Sequence, residues 1–157
     1  VPVTLADGFP TIIQALGAKP DPRDRDLPGI SLLEIAGGQV PERTVLSEYH
    51  AAGAVTASYM IRHGQFKYIH YVGMSPMLFD LKADPQERND LGQNPAFRAI
   101  SLECETQLRK IVDPEAADRL ARADQEAQIA KHGGKEAILK KGTFRYSPPP
   151  GAKAAYF

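Results

Sequence analysis

The chain has 157 residues, with nineteen basic side chains balanced by nineteen acidic ones, and 43% of it is hydrophobic. That length holds one domain with a real core, and a zero net charge supplies no whole-protein field to attract nucleic acid or an anionic membrane. The single cysteine, Cys104, excludes an internal disulfide and any Cys-pair metal site within one chain.

No apolar run approaches the ~18 residues that a membrane helix needs. The opening VPVTLADGFP lacks the basic start and small-residue cleavage site of a signal peptide. It also lacks an initiating Met, so the natural start is expected to lie elsewhere. Asp7 is placed to cap a helix in which Phe9, Ile12, Ile13 and Leu16 form one apolar face, and Gly17 supplies its stop. AKPDPRDRDLPG reads as a loop and SLLEIAGG as a short apolar turn. Residues 43–49, RTVLSEY, have the β-branched and aromatic content of a strand.

YMIRHGQFKYIHY, residues 59–71, reads as a hairpin turning on His63-Gly64, with Arg62 opposite Gln65, Ile61 opposite Phe66, Met60 opposite Lys67 and Tyr59 opposite Tyr68. Alternation then puts Tyr59, Ile61, Phe66 and Tyr68 on an apolar face and Arg62, Gln65 and Lys67 on the other. MLFDL (77–81) adds a further strand. Asn94 and Pro95 open a helix with Phe97, Ile100, Cys104, Leu108 and Ile111 in its stripe, which is expected to cover the sheet's apolar face. Asp113-Pro114 starts an alanine-rich helix that runs to Gly133-Gly134, and the tail's proline run forbids regular structure. The expected fold is α+β: a small antiparallel sheet of three to four strands packed with helices. Its divisions are 1–42, a leading and connecting segment; 43–112, the sheet with its helix; and 113–157, a helical extension and proline-rich tail.

Three of the four histidines, His50, His63 and His70, lie between residues 47 and 71. His63 falls at the hairpin tip and His70 well along a strand rising roughly 3.3 Å per residue, so the two cannot share ligand bonds of ~2 Å to one metal. His50 follows the strand that carries Glu48 and enters the small run AAGAV. A polar residue at a strand end beside a glycine-containing loop edges a pocket or stands on the surface, and the residues alone leave both open. Cys104 lies on an apolar stripe with no base beside it in sequence, the pattern of a buried structural thiol. LKADPQERNDL lacks the spacing and terminal Glu of a calcium loop. By residue chemistry alone the chain carries no self-contained active site.

Laid in order, the segments resemble the C-terminal portion of the sulfatase family, within the alkaline-phosphatase-like superfamily. VTLADGFPTIIQALG is similar to the family's "V-x-L-x-D-x-x-P-T" helix, LPGISLLEIAGG to its "G-x-S-L" segment and YMIRHGQFKYIHY to its "R-x-G-x-x-K-Y" hairpin. LFDLKADPQERNDL is similar to "L-[FY]-D-L-x-x-D-P-x-E-x-x-N-L", with Asp90 where the motif has Asn before Leu. The order of these segments, over residues 1 to about 111, carries the resemblance; FRYSPPPG and the last helix look most like the choline-sulfatase-like and phosphonate monoester hydrolase-like branch.

The resemblance implies that residues 1–42 end a catalytic domain whose remainder precedes this chain. A divalent metal, calcium or manganese, and a formylglycine nucleophile are expected in the intact enzyme, and neither the nucleophile motif nor the metal ligands are present here, so the chain alone is expected to be inactive. It also implies that the subdomain contributes to a pocket rim for a sulfate ester substrate, with His50, Glu48 and Lys67 as the substrate contacts. Two alternatives are a fragment of a phosphonate or phosphate monoester hydrolase and a stand-alone binding or assembly module. A helix face stripped of its cover leads to the expectation of a homo-oligomer; no nucleic acid or membrane partner is expected.

Overall fold

The computed structural model describes residues 1–38, 40, 42–50 and 54–142. Residues 51–53 of the AAGAV run and the proline-rich tail, both singled out above, lie outside the described residues. Two compact units are present, Val1–Glu115 and one that begins at Ala116.

The first unit is built on four antiparallel strands in sequence order: β1 (Val45–Tyr49), β2 (Ser58–His63), β3 (Phe66–Tyr71) and β4 (Met77–Asp80). The hairpin turns on Gly64-Gln65, one residue later than expected, so that His63 pairs with Phe66, Arg62 with Lys67, Ile61 with Tyr68 and Tyr59 with His70. Gly64 explains the difference: at φ +54° it takes the first central position of a two-residue turn, where a positive φ suits glycine. The slip moves each partner by two residues, an even number, so the division into faces survives it. Tyr59, Ile61, Tyr68 and His70 share one face with Leu46, Glu48 and Leu78; Arg62, Lys67 and Phe79 share the other with Val45.

The helix α3 (Arg98–Ile111) lies across the first of these faces. Asn94 accepts a hydrogen bond from the Ala96 amide at 3.0 Å, and Pro95 opens a 3₁₀ turn that leads into the helix. Cys104 and Leu108 of the stripe are fully buried, as are Tyr59, Ile61 and Leu78 beneath them, whereas Ile111 emerges at the helix end. Each of the large aliphatic residues gains about 1.5–3 kcal/mol from such burial. From Pro114 the helix α4 (Pro114–Lys131) continues, and the Tyr59 hydroxyl donates to the buried Pro114 carbonyl at 3.1 Å, tying the sheet to its first turn.

At the start of the chain, α1 (Gly8–Ala15) and α2 (Leu32–Ala36) are joined by side chains of the "D-x-x-P-T" and "G-x-S-L" segments. Asp7 does not cap α1 through its side chain. It is instead fully buried, accepting from the Thr4 amide at 2.8 Å, the Ile30 amide at 2.9 Å and both terminal nitrogens of Arg43 at 3.0 Å. Burial pushes this carboxyl upward, but the two amides and the guanidinium outweigh it and hold the group below its ordinary value. Thr11 relays the lock: its hydroxyl donates to the Asp7 carbonyl at 2.5 Å and accepts from the Leu32 amide at 2.8 Å. Gly29 passes close enough that a Cβ would stand 2.3 Å from the Ala6 carbonyl oxygen, and only glycine fits there.

The second unit contains the remainder of α4 and α5 (Gly134–Lys141); the chain turns between them at Gly133, φ +89°, and at Gly134, φ +88°, the first residue of α5. Arg122 bonds Asp118 one turn earlier at 2.8 Å. No described helix is long and apolar enough to cross a membrane.

Candidate functional site

Glu48 lies on β1, one of the two edge strands, opposite Tyr59, and His50 follows just past the strand's end with its ring against that same tyrosine. The imidazole Nε2 stands 3.7 Å from a Glu48 carboxylate oxygen, and its ring meets Tyr59 edge-on with centroids 5.3 Å apart and planes at 86°. Tyr59 is itself immobilised by its hydroxyl bond to Pro114, so the histidine ring leans on a fixed wall. The Nδ1 atom is buried without a hydrogen-bond partner among the described residues. Glu48 remains half exposed, at 52% of its side chain, and His50 retains 25%. The pair therefore presents a carboxylate and an imidazole edge side by side.

Lys67 is elsewhere. Its strand position opposite Arg62 sets it on the other face of the sheet, and its ammonium bonds Glu87 at 2.6 Å. Glu87 reaches it from the β4–α3 connection with φ +55°, the one positive φ outside glycine among the described residues. Sequence reasoning placed Lys67 with His50 and Glu48; the structure brings only the latter two together.

A second polar cluster, which the sequence did not reveal, sits on the His50 side of the sheet where α3 meets α4. Tyr68 donates to Glu105 at 2.5 Å, His70 Nδ1 lies 3.1 Å from the same oxygen, and His70 Nε2 stands 3.3 Å from Glu115 without hydrogen-bond geometry. Arg109 bonds Glu105 at 2.5 Å and grips both oxygens of Glu115 at 2.7 and 2.9 Å. Burial and the Glu105 carboxylate push the Tyr68 hydroxyl far up, so it stays protonated and acts as a donor. The i, i+4 spacing of Glu105 and Arg109 was the available signal. Their partners come from other elements, so the cluster itself had none.

Open clefts of 430 and 480 Å³ lie respectively among Phe9, Ile13, Leu27 and Pro28 and between the hairpin tip and Cys104; Glu48, His50 and Lys67 line neither. Burial pushes the Cys104 thiol up to about 11, with Glu103 adding to the effect, so it is no ready nucleophile. Among the described residues no group of three His, Cys, Asp or Glu is placed to hold a metal ion.

Residues 3–114 match the family model described as N-sulphoglucosamine sulphohydrolase, C-terminal. Arylsulfatase K of Rattus norvegicus is 31% identical over 140 residues, covering 81% of this chain and 24% of that protein. The structure of a 2-O GAG sulfatase superposes with a TM-score of 0.54 at 26% identity, over 78% of this chain and 25% of that one. Phosphonate monoester hydrolase of Agrobacterium radiobacter gives 0.52 at 25% identity, over 69% and 24% respectively. The chain thus spans about a quarter of the length of the curated relative it matches. With the four-stranded sheet, its covering helix and the two interlocked N-terminal motifs all inside the matched stretch, the chain belongs to the N-sulphoglucosamine sulphohydrolase C-terminal family, the C-terminal portion of the sulfatases.

Proposed function

We propose that this chain serves as the C-terminal subdomain of a longer sulfuric ester hydrolase and is inactive by itself. The observation that carries the reading is the match of residues 3–114 to a sulfatase C-terminal family, in a chain that covers only 24% of its rat relative. In this proposal residues 1–42 finish the catalytic domain, and the formylglycine and its calcium or manganese ion belong to the remainder of the polypeptide. Glu48 and His50 contribute to the rim of the substrate pocket. Lys67 meets an anionic substrate only by exchanging its ion pair with Glu87.

The test compares residues 1–157 with the complete polypeptide that contains them, on 4-nitrophenyl sulfate. The complete polypeptide is expected to hydrolyse the ester and the isolated chain to leave it intact. Turnover by the isolated chain, or a complete polypeptide inert toward sulfate esters, would falsify the proposal. The likeness to a phosphonate monoester hydrolase favours one second reading, in which the same subdomain serves a phosphonate or phosphate ester. A higher kcat/KM on the monoester 4-nitrophenyl phenylphosphonate, read as released nitrophenol, than on the sulfate would establish it.

A further inference from the structure

We infer that Arg62 is a docking cation for the polypeptide that precedes Val1, and that it receives an aspartate or glutamate side chain from that upstream part. The inference rests on the reading of this chain as the end of a longer sulfatase, and adds a specific contact between the two parts.

The sheet supplies the first reason. Val45, Arg62, Lys67 and Phe79 stand side by side in one row across the four strands, on the face opposite α3. Two cations therefore meet directly across β2 and β3, an arrangement that destabilises a sheet unless each charge is answered. Lys67 is answered by Glu87 at 2.6 Å. Arg62 is not: its Nε donates to the Gly64 carbonyl at 3.0 Å, and among the described residues no carboxylate pairs with it and its terminal nitrogens have no partner. A guanidinium holds its donors in a rigid plane, a fork that fits one carboxylate through two parallel bonds. That fork is free.

The surroundings supply the second reason. Arg62 lines an open cleft of 350 Å³ whose other walls are Val1, Pro2, Glu42 and Gly64. Glu42, the one acidic residue in that lining, rests on the hairpin turn instead, its carboxylate placed so that a Cβ on Gly64 would stand 3.0 Å from it. In the complete polypeptide of that reading the residue joined to Val1 adjoins the cleft, and its neighbours come within reach of the guanidinium. A freely diffusing anion would meet an open site with a single available cation. A carboxylate tethered to Val1 arrives at a high effective concentration, so the upstream chain is the favoured occupant.

The experiment uses the complete polypeptide carrying Arg62→Lys, which keeps the charge and supplies a primary amine. A water-soluble carbodiimide activates carboxylates, and an amine in contact with one displaces the activating group to leave an amide. Peptide mass spectrometry is expected to find position 62 joined to an aspartate or glutamate before Val1. The Lys67–Glu87 pair should couple under the same conditions and is the positive control. A second measurement places Arg62→Gln in the complete polypeptide and in residues 1–157. The melting temperature of the complete polypeptide should fall by about 2 °C or more. That of the isolated chain should stay within about 1 °C, because the lost bond to Gly64 is set against relief of the repulsion from Lys67. Coupling to Glu42 alone, no coupling while the control pair couples, or equal melting shifts in the two backgrounds overturns the inference. A complete, unsubstituted polypeptide that leaves 4-nitrophenyl sulfate intact overturns the sulfatase reading instead, and the cross-link does not depend on that assay.

Discussion

Asp90 stands where the family motif has asparagine, and its surroundings explain why the exchange is harmless. One side-chain oxygen accepts from the Leu78 amide of β4 at 3.0 Å and from the Gly92 amide at 2.8 Å. An asparagine carbonyl offers the same acceptor, so the position asks for that oxygen and is indifferent to the charge. Asp90→Asn should therefore change stability by no more than about 0.5 kcal/mol. Asp90→Ala leaves unpaired the N–H of the buried Leu78 on the edge strand β4 and should cost about 1–3 kcal/mol. Urea unfolding of the three proteins checks this, and equal losses in both variants would show that the negative charge itself matters. Asp7 teaches the opposite lesson about single residues. Its position before an apolar helix reads as a cap, but its carboxylate is taken by Thr4, Ile30 and Arg43. Arg43 lies too far along the chain for a local rule to find it. The position of His50, just past the end of a strand, was legible for the reverse reason, since the strand pattern that precedes it and the small-residue run that follows are local signals.

Between elements, the junction of α3 and α4 is held by charges whose pH dependence can be worked out. The hydrogen bonds from Arg109 hold Glu115 at about 2, against an ordinary value of 4.5. Glu105 is also lowered, because Tyr68, His70 and Arg109 together outweigh the burial that would raise it. A carboxylate depressed in the folded state stabilises it above the unfolded value and loses that contribution as pH falls through the folded one. For Glu115 the window runs from 4.5 down to about 2. Melting temperature should therefore decline across that interval, and Arg109→Met should be less stable at neutral pH with a shallower decline. Both Arg109 and Glu115 are about two-fifths exposed, so the effect is modest and should shrink further in 1 M salt. Parallel slopes for the two proteins would remove Arg109 as the cause. This junction could not be read from the sequence, because His70, Tyr68 and Glu115 meet Glu105 and Arg109 only once α3 lies on the sheet. The hairpin faces and the Cys104–Leu108 stripe could be read, since both follow from periodicity within one element. The register was missed because the backbone needs of Gly64, rather than any side-chain pairing, choose the turn.

At the scale of the molecule, the apolar surface is distributed unevenly. Leu5 is 99% exposed and Leu16 76%, with Val1, Val3, Phe9 and Ile12 also open and Leu33 exposed on α2. Val1, Val3 and Leu5 are exposed in alternation with less exposed neighbours, and Phe9, Ile12 and Leu16 follow helical spacing, so these are regular apolar faces and not scattered residues. They lie together at the start of the chain, in the stretch proposed to finish the catalytic domain. Water in contact with such a surface drives association, and the isolated chain should self-associate as its concentration rises. Sedimentation velocity over a hundredfold concentration range should show the mean mass climbing. Leu5→Ser combined with Ile12→Gln should lower the mass toward that of one chain without unfolding the sheet, because neither side chain enters its core. In the complete polypeptide the same pair of changes should instead reduce thermal stability, since there the face has a partner to lose. A wild-type chain that stays monomeric throughout would mean that these residues need no cover, and the assignment of residues 1–42 to a catalytic domain would lose its physical support.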